Sequence, residues 1–197
     1  CGRVKEQSPK TLLDAGCGEG YYTEGLSAAL AQGELWGVDI SKEALVCAGK
    51  RLKGKAKLAV ASIYGLPFED GCFEALTLTF SPYSGEEYRR VLKENGLLYM
   101  VIPGPQHLWE LKEVLYERPY ENEVRDRSLP GFEYLSEDRI SYTREVQGED
   151  LQNLFRMTPY FYRTPQEGRE RAKACSALAL TMEFHLLRYR KAETDKR

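Results

Sequence analysis

The chain predicts an α/β fold on a doubly wound, mostly parallel sheet, closed at its C-terminal edge by an antiparallel hairpin. Three observations predict it. Residues 12–20 read Leu-Leu-Asp-Ala-Gly-Cys-Gly-Glu-Gly, an apolar run broken by a glycine-rich turn. Short apolar runs then alternate with segments of helical period as far as Leu115, which means parallel strands with helices on both faces. Near the end, Leu178, Leu180, Met182, Phe184 and Leu186 fall at every second position, the pattern of a strand with one buried face.

The elements follow in order. A strand at 11–15 ends in the glycine turn and feeds a helix at 21–31. A strand at 34–39 ends in Asp39-Ile40 and precedes a helix at 42–52. The strand at 57–61 runs into Ser62-Ile63 and Leu66-Pro67-Phe68-Glu69-Asp70, and the strand at 73–80 into Ser81-Pro82-Tyr83. A helix at 85–93, the turn Asn95-Gly96, a strand at 97–102 and a helix at 106–117 come next, the last carrying Leu108, Leu111 and Leu115 at helical spacing. The stretch 118–136 is polar and holds Pro119, Pro130 and Gly131, so it reads as a mobile substrate loop. A strand at 140–146, a short helix at 149–157, a loop carrying Tyr160, Phe161 and Tyr162, a helical stretch at 166–174 and the final strand complete the chain. His185 lies opposite in parity to the apolar positions of that strand and is expected to be exposed.

The length of 197 residues suits a single domain, and 42% hydrophobic content supports a full core. No segment has the length of a membrane span and no secretion signal is readable, so the cytoplasm is the expected location. The five cysteines show no C-x-x-C spacing, so no metal site is expected. Cys17 and Cys72 read as packing residues. A net charge of −2 excludes a chain that is basic throughout. Basic residues do cluster, at Arg163, Arg169, Arg171 and Lys173, and at Arg188, Arg190, Lys191, Lys196 and Arg197. Such clusters are either solvated faces or an edge that touches phosphates.

The glycine turn carries the chemistry. Gly16, Gly18 and Gly20 let the backbone turn sharply and meet a ligand with no Cβ in the way. A helix starting near Tyr21 points its amide donors at whatever lies over the turn. Asp39, nineteen residues after Gly20, can accept both hydroxyls of a ribose. The turn reads G-x-G-x-G and not the dinucleotide pattern G-x-G-x-x-G. Asp14 would repel a pyrophosphate but attract the ammonium group of a methionine moiety. The cofactor expected is therefore S-adenosyl-L-methionine. Ser62 and Ile63 suit the amino edge and face of an adenine, and Ile40, Phe80 and Ser81 complete the set with Asp14, Gly16, Gly18, Gly20, Tyr21 and Asp39.

This order of parts resembles the Rossmann-like class I methyltransferases. Three stretches make the resemblance closer: Leu13-Asp14-Ala15-Gly16-Cys17-Gly18-Glu19-Gly20-Tyr21-Tyr22-Thr23 with Leu66-Pro67-Phe68; Pro103-Gly104-Pro105-Gln106-His107-Leu108-Trp109-Glu110-Leu111-Lys112; and Met157-Thr158-Pro159-Tyr160-Phe161-Tyr162-Arg163. With them the chain is similar, over nearly its whole length, to the bacterial 23S ribosomal-RNA guanine-N1 methyltransferases. The resemblance implies methyl transfer from S-adenosylmethionine to N1 of a guanine in 23S rRNA. That acceptor carries a proton at neutral pH and needs a base within reach. His107 is the first choice, unless it is a surface residue of the helix at 106–117, and Glu110 the second. Tyr83, Trp109, Tyr160 and Tyr162 could grip a splayed base, with Arg163 on a phosphate or on O6. The family also carries an N-terminal zinc module with four ligands, which nothing here matches. Class I methyltransferases usually have a helical segment before the motif strand, so further residues upstream of Cys1 are expected. Two other readings share the same motifs: a small-molecule methyltransferase, and a non-catalytic cofactor-binding module. The oligomeric state is not legible.

Overall fold

The computed structural model describes residues 1–30, 32–123 and 126–193. Ala31, Lys196 and Arg197, which figure in the readings above, lie outside them. The chain, expected as one domain, divides into two compact units. One comprises Cys1–Ile102, Arg127–Glu137 and Leu186–Arg197; the other comprises Pro103–Asp126 and Asp138–His185.

The first unit opens on a short helix α1 (Gly2–Gln7), which the sequence did not signal. Then follow β1 (Thr11–Ala15), α2 (Tyr21–Ala29), β2 (Glu34–Asp39), α3 (Lys42–Leu52), β3 (Lys57–Val60), β4 (Phe73–Thr79), α4 (Gly85–Val91) and β5 (Leu92–Pro103). Two long strands, β6 (Phe132–Gln147) and β7 (Ala177–Lys191), run through both units. The seven strands lie in the order β3-β2-β1-β4-β5-β7-β6. The pairs β1–β2, β1–β4, β2–β3 and β4–β5 are parallel, and β5, β7 and β6 form the antiparallel edge.

Strand alternation divides the core between two sheet faces. Leu12, Leu35, Ala75 and Tyr99 pack with Val4 of α1 and Leu26 of α2. Their neighbours Leu13, Leu76, Leu98 and Met100 pack with Tyr88 and Val91 of α4. This is the doubly wound arrangement expected. The central strands are buried along nearly their whole length, as parallel strands covered on both faces must be. α3 shows why its ends are sharp. The Ser41 hydroxyl accepts from the Ala44 amide at its N-terminus, Lys50 and Arg51 lie in its last turn, and Lys53 caps it in the left-handed conformation. Arg90 of α4 donates to the Glu87 and Asp70 carboxylates and to the Leu66 and Phe68 carbonyls, which pins the 66–70 loop. The Asn95-Gly96 turn is present as an irregularity within β5. Leu92 pairs with Phe73 and Leu97 with Ala75, and Asn95 has a φ of 61°.

The second unit adds α5 (Trp109–Leu115), α6 (Gly148–Met157), α7 (Tyr160–Arg163) and α8 (Gln166–Ala174). Leu108, Leu111 and Leu115 are buried with Leu151, Phe155, Ala172 and Leu180. Gly168 of α8 lies so close to the Leu115 carbonyl that any Cβ would collide with it.

Four expectations are corrected. The helix expected at 106–117 is confined to α5, because Leu108 has a φ of 57° and caps the helix instead of joining it. The polar loop ends at Gly131: β6 begins at Phe132, whose side chain is buried with Tyr189. The loop expected at Tyr160–Tyr162 is the single turn α7. His185 is buried, with 3% of its surface exposed. From His185 onward the buried positions of β7 are the odd ones, His185, Leu187, Tyr189 and Lys191, and of these Leu187 and Tyr189 pack in the first unit's core.

Candidate cofactor site and a second cluster

The strand order reverses between β1 and β4, since chain connections run outward on either side of that pair. Ligands of open α/β sheets bind beyond the carboxyl ends of the strands at such a point. Both loops there are held in unusual conformations. Gly16, Gly18 and Gly20 have φ of 75°, 53° and 77°, the left-handed region. The Gly16 and Cys17 amides donate to the Val38 carbonyl. A Cβ on Gly16 would overlap the Ser81 hydroxyl and sit 2.8 Å from Ser81 Cβ, so this glycine lets the two loops touch. A Cβ on Gly18 would meet nothing within 4 Å: that position opens outward. Gly20 caps α2 and packs 3.1 Å, by the same construction, from Ala48 Cβ.

Asp39 ties the turn to the tip of β2. Its Oδ2 accepts from the Gly18 amide at 2.8 Å and its Oδ1 from the Ser41 amide at 2.9 Å. Each carboxylate oxygen keeps a further lone pair. Asp14 lies beneath the turn, 2% exposed, and accepts from the Thr23 and Thr77 hydroxyls at 2.7 and 2.8 Å. Burial pushes its carboxyl above the usual range, and the two hydroxyl bonds work against that push. Its influence on a ligand would run through its charge and the turn it supports, not through direct contact. Cys17 is buried beside these acids, and burial drives its thiol up to about 12, which fits a packing residue and no nucleophile.

Around this point stand large apolar groups in water: Ile40 is 75% exposed, Tyr21 68% and Phe80 49%. Phe80, just past β4, has a φ of 53°. A bulky side chain in that region is strained, and such strain gathers at functional sites. Its ring lies 6.4 Å from that of Tyr22, which meets Tyr21 edge-on at 5.2 Å. Tyr22 and the exposed Tyr64 were not singled out by the sequence. Ser62 accepts from the Tyr64 amide, whereas Ile63 is turned into the core and is 9% exposed. Ile63 therefore does not offer its face to an adenine as expected. Tyr83 also packs inward. Its ring meets Tyr88 at 5.8 Å and its hydroxyl is buried without a hydrogen-bond partner, so it presents no free stacking face.

Known proteins agree with this geometry. The family described as "Methyltransferase domain" matches residues 12–96. In structure the chain is similar to the YcgJ protein of Bacillus subtilis, at 16% identity with a TM-score of 0.65 over 98% of each chain, which shows the fold. The chain has the fold of the class I methyltransferases, and its residues 12–96 match the methyltransferase domain. In sequence the chain is 29% identical, over 185 residues, to the "Putative 23S rRNA (guanine-N(1)-)-methyltransferase YxjB" of Bacillus subtilis. The match covers 90% of this chain but 65% of that protein, so the chain spans just under two thirds of this relative's length. It is also 33% identical to the demethylmenaquinone methyltransferase of a Geobacillus species, over 108 residues that cover 52% of this chain and 45% of that one.

The second unit holds a polar cluster that sequence reasoning missed. Lys112 is fully buried. Its ammonium donates to the Tyr120 carbonyl at 2.8 Å and to Asn122 Oδ1 at 2.7 Å, and lies over the rings of Tyr120 and Tyr160. Asn122 donates to the Gly104 and His107 carbonyls and accepts from the Tyr160 hydroxyl. The network fastens the start of the polar loop to the Pro103-Gly104-Pro105 turn. Only the presence of a lysine at a helical core position (111, 112 and 115 all buried) could have signalled it.

The residues proposed for catalysis sit in this setting. His107 is partly buried against Phe184, with ring centroids 4.7 Å apart. Burial, reinforced by the Lys112 charge, pulls its pKa down to about 4. The imidazole is thus neutral at physiological pH but a weak proton acceptor. Glu110 accepts from the Thr181 amide and hydroxyl at 2.7 and 2.6 Å. Burial alone would raise its pKa, but these bonds hold it below the usual value, so it serves as a brace for β7. Trp109 donates to Glu113, while Tyr162, 81% exposed, and Arg163 stand in solvent. Among the described residues no cluster of histidines, cysteines and acids could hold a metal ion, and no helix is long and apolar enough to cross a membrane.

Proposed function

We propose that this chain is the catalytic part of an enzyme that transfers the methyl group of S-adenosyl-L-methionine to N1 of a guanine in 23S ribosomal RNA. The observation that carries the acceptor is the extent of likeness. The relative named for that reaction matches 90% of the chain, whereas the quinone-methylating relative covers only 52% of it.

The glycine turn fits the cofactor. The open space over Gly18 is the place for close approach, and the spare lone pairs of Asp39 are the acceptors for ribose hydroxyls. Ile40, Tyr21 and Phe80 offer apolar area to an adenine and a methionine chain. When bound, S-adenosylmethionine supplies an electrophilic methyl group on a sulfonium. The protein then positions the acceptor in line and excludes water. The exposed Tyr162 and Arg163 of α7 are the groups we assign to an RNA base and phosphate. We do not assign a side-chain base. A group that titrates near 4 is poorly matched to a proton held at neutral pH, and Glu110 is committed to Thr181.

The test is transfer of labelled methyl from S-adenosylmethionine to 23S rRNA hairpins, with mass mapping of the product. N1-methylguanosine is expected. Label on N7 or on a ribose would overturn the acceptor, label on a quinone would establish the small-molecule reading, and donor binding without any transfer would leave a non-catalytic module.

A further inference from the structure

A second cleft lies within the first unit, along α4. It has a volume of about 600 Å³ and is lined by Tyr83, Glu86, Arg89, Arg90 and Lys191, among others. Its charge is lopsided, with three cations against one acid. Arg90 is committed to Glu87 and Asp70. Lys191 gives two bonds, to the Leu92 carbonyl and to Glu94. Two donors remain unused. The Arg89 Nε and the Tyr83 hydroxyl are both buried and have no hydrogen-bond partner. Buried donors are normally paired, and unpaired ones call for an explanation.

Glycines leave room for both side chains. A Cβ on Gly131 would collide with the Arg89 side chain, and a Cβ on Gly85 would stand 2.6 Å from the Tyr83 hydroxyl. The Arg89 charge also acts on Tyr83. Burial pushes the phenol up and Arg89 draws it back, so the two groups share one electrostatic field. Their partner must accept hydrogen bonds and carry negative charge. Tyr83 follows Phe80 by three residues, which puts the cleft next to the tip of β4 in the chain.

We propose that this cleft binds a phosphate group, held by the Arg89 guanidinium and the Tyr83 hydroxyl, and that the group belongs to the RNA strand presented for methylation. The source of the phosphate rests on the rRNA reading above; the oxyanion chemistry does not.

The experiment is the binding of a fluorescent 23S rRNA hairpin by anisotropy over a range of salt concentrations, with the wild type, Arg89→Gln, Arg89→Lys and Tyr83→Phe, each checked for folding by circular dichroism. A parallel series titrates inorganic phosphate, followed by NMR. One lost phosphate contact lowers the slope of log K against log[salt] by about 0.7–0.9. Arg89→Gln is expected to show that change, Arg89→Lys to retain the slope, and Tyr83→Phe to weaken binding about fivefold at an unchanged slope. If RNA binding is unaffected but the variants lose inorganic phosphate, the oxyanion site stands with a free phosphate as its ligand. If folded Arg89→Gln and Tyr83→Phe match the wild type in both series, the proposal is overturned. A wild type that binds RNA with the expected slope yet methylates no guanine would sink the proposed function and leave this site standing.

Discussion

The glycine turn makes two opposite demands, and two substitutions separate them. Gly18 sits at a φ of 53° with open space where a Cβ would point, while Gly16 sits at 75° with Ser81 in that place. Gly18→Val costs the protein only the left-handed backbone, about 1–2 kcal/mol. For a chain of this size that lowers Tm by about 2–8 °C. The branched side chain would occupy the space proposed for the cofactor, so S-adenosylmethionine binding should be lost from a folded protein. Gly16→Ala carries the same backbone cost plus an overlap with Ser81, and overpacking adds about 1–3 kcal/mol. Its larger loss should be partly recovered in a Ser81→Gly background, which removes both atoms that the new methyl would strike. Thermal denaturation gives the stabilities and calorimetric titration gives the donor affinity. Wild-type affinity in folded Gly18→Val would refute the placement of the cofactor. An equal Tm loss for Gly16→Ala with and without Ser81 would refute the packing account.

Asp39→Ala removes the acceptor of two loop amides as well as the proposed ribose ligand; donor affinity should fall about 10- to 100-fold, and unchanged calorimetry would exclude Asp39 from the site. Lys112→Met leaves the Tyr120 carbonyl without its lysine donor and Asn122 Oδ1 with the Tyr160 hydroxyl alone, so urea unfolding should show a loss of about 1–3 kcal/mol; a neutral result would make the network ornamental to stability. His107 binds its proton less readily folded, near pH 4, than unfolded, near pH 6.5. Its contribution is thus constant above about pH 6.5 and turns destabilising as pH falls towards 4, by up to about 2 kcal/mol after allowing for its partial exposure. His107→Gln should flatten unfolding free energy over that window, and an unaltered pH slope would contradict the burial argument. In the transfer assay His107→Ala should cost far less than the 10²- to 10⁴-fold typical of a lost base; a loss of that size that fades as pH rises would restore His107 to that role.

The parts of the fold that were legible are those fixed locally. β1, β2 and α3 lie where apolar runs, the Ser41 cap and the basic last turn put them. What was not legible depends on partners distant in sequence. Residues 132–139 read Phe-Glu-Tyr-Leu-Ser-Glu-Asp-Arg with no clean alternation; they are a strand because Phe132 reaches Tyr189 and Ser136 accepts from Arg188. The helical spacing of Leu108, Leu111 and Leu115 was a true guide to burial and a false one to helix extent, since a capping residue can share the buried face. In the site, the turn and its acid announced themselves through glycine spacing. The left-handed Phe80 could not, because nothing in a phenylalanine codes for that conformation. Nor could the clasp of Lys112 on Asn122, which exists only because the chain doubles back.

The position of β7 in the sheet has a consequence for how the protein is made. It is the last strand in the chain, yet it lies between β5 and β6. Until β7 (Ala177–Lys191) has left the ribosome, β5 has no neighbour on that side and β6 has no strand to pair with. A nascent chain stopped there carries two open strand edges, each a template for pairing with another molecule. A product truncated before Leu187 would lose the end of β7, with the buried Leu187, Tyr189 and Lys191, and not a dispensable tail. A tag or fusion placed after residue 193 spares that strand.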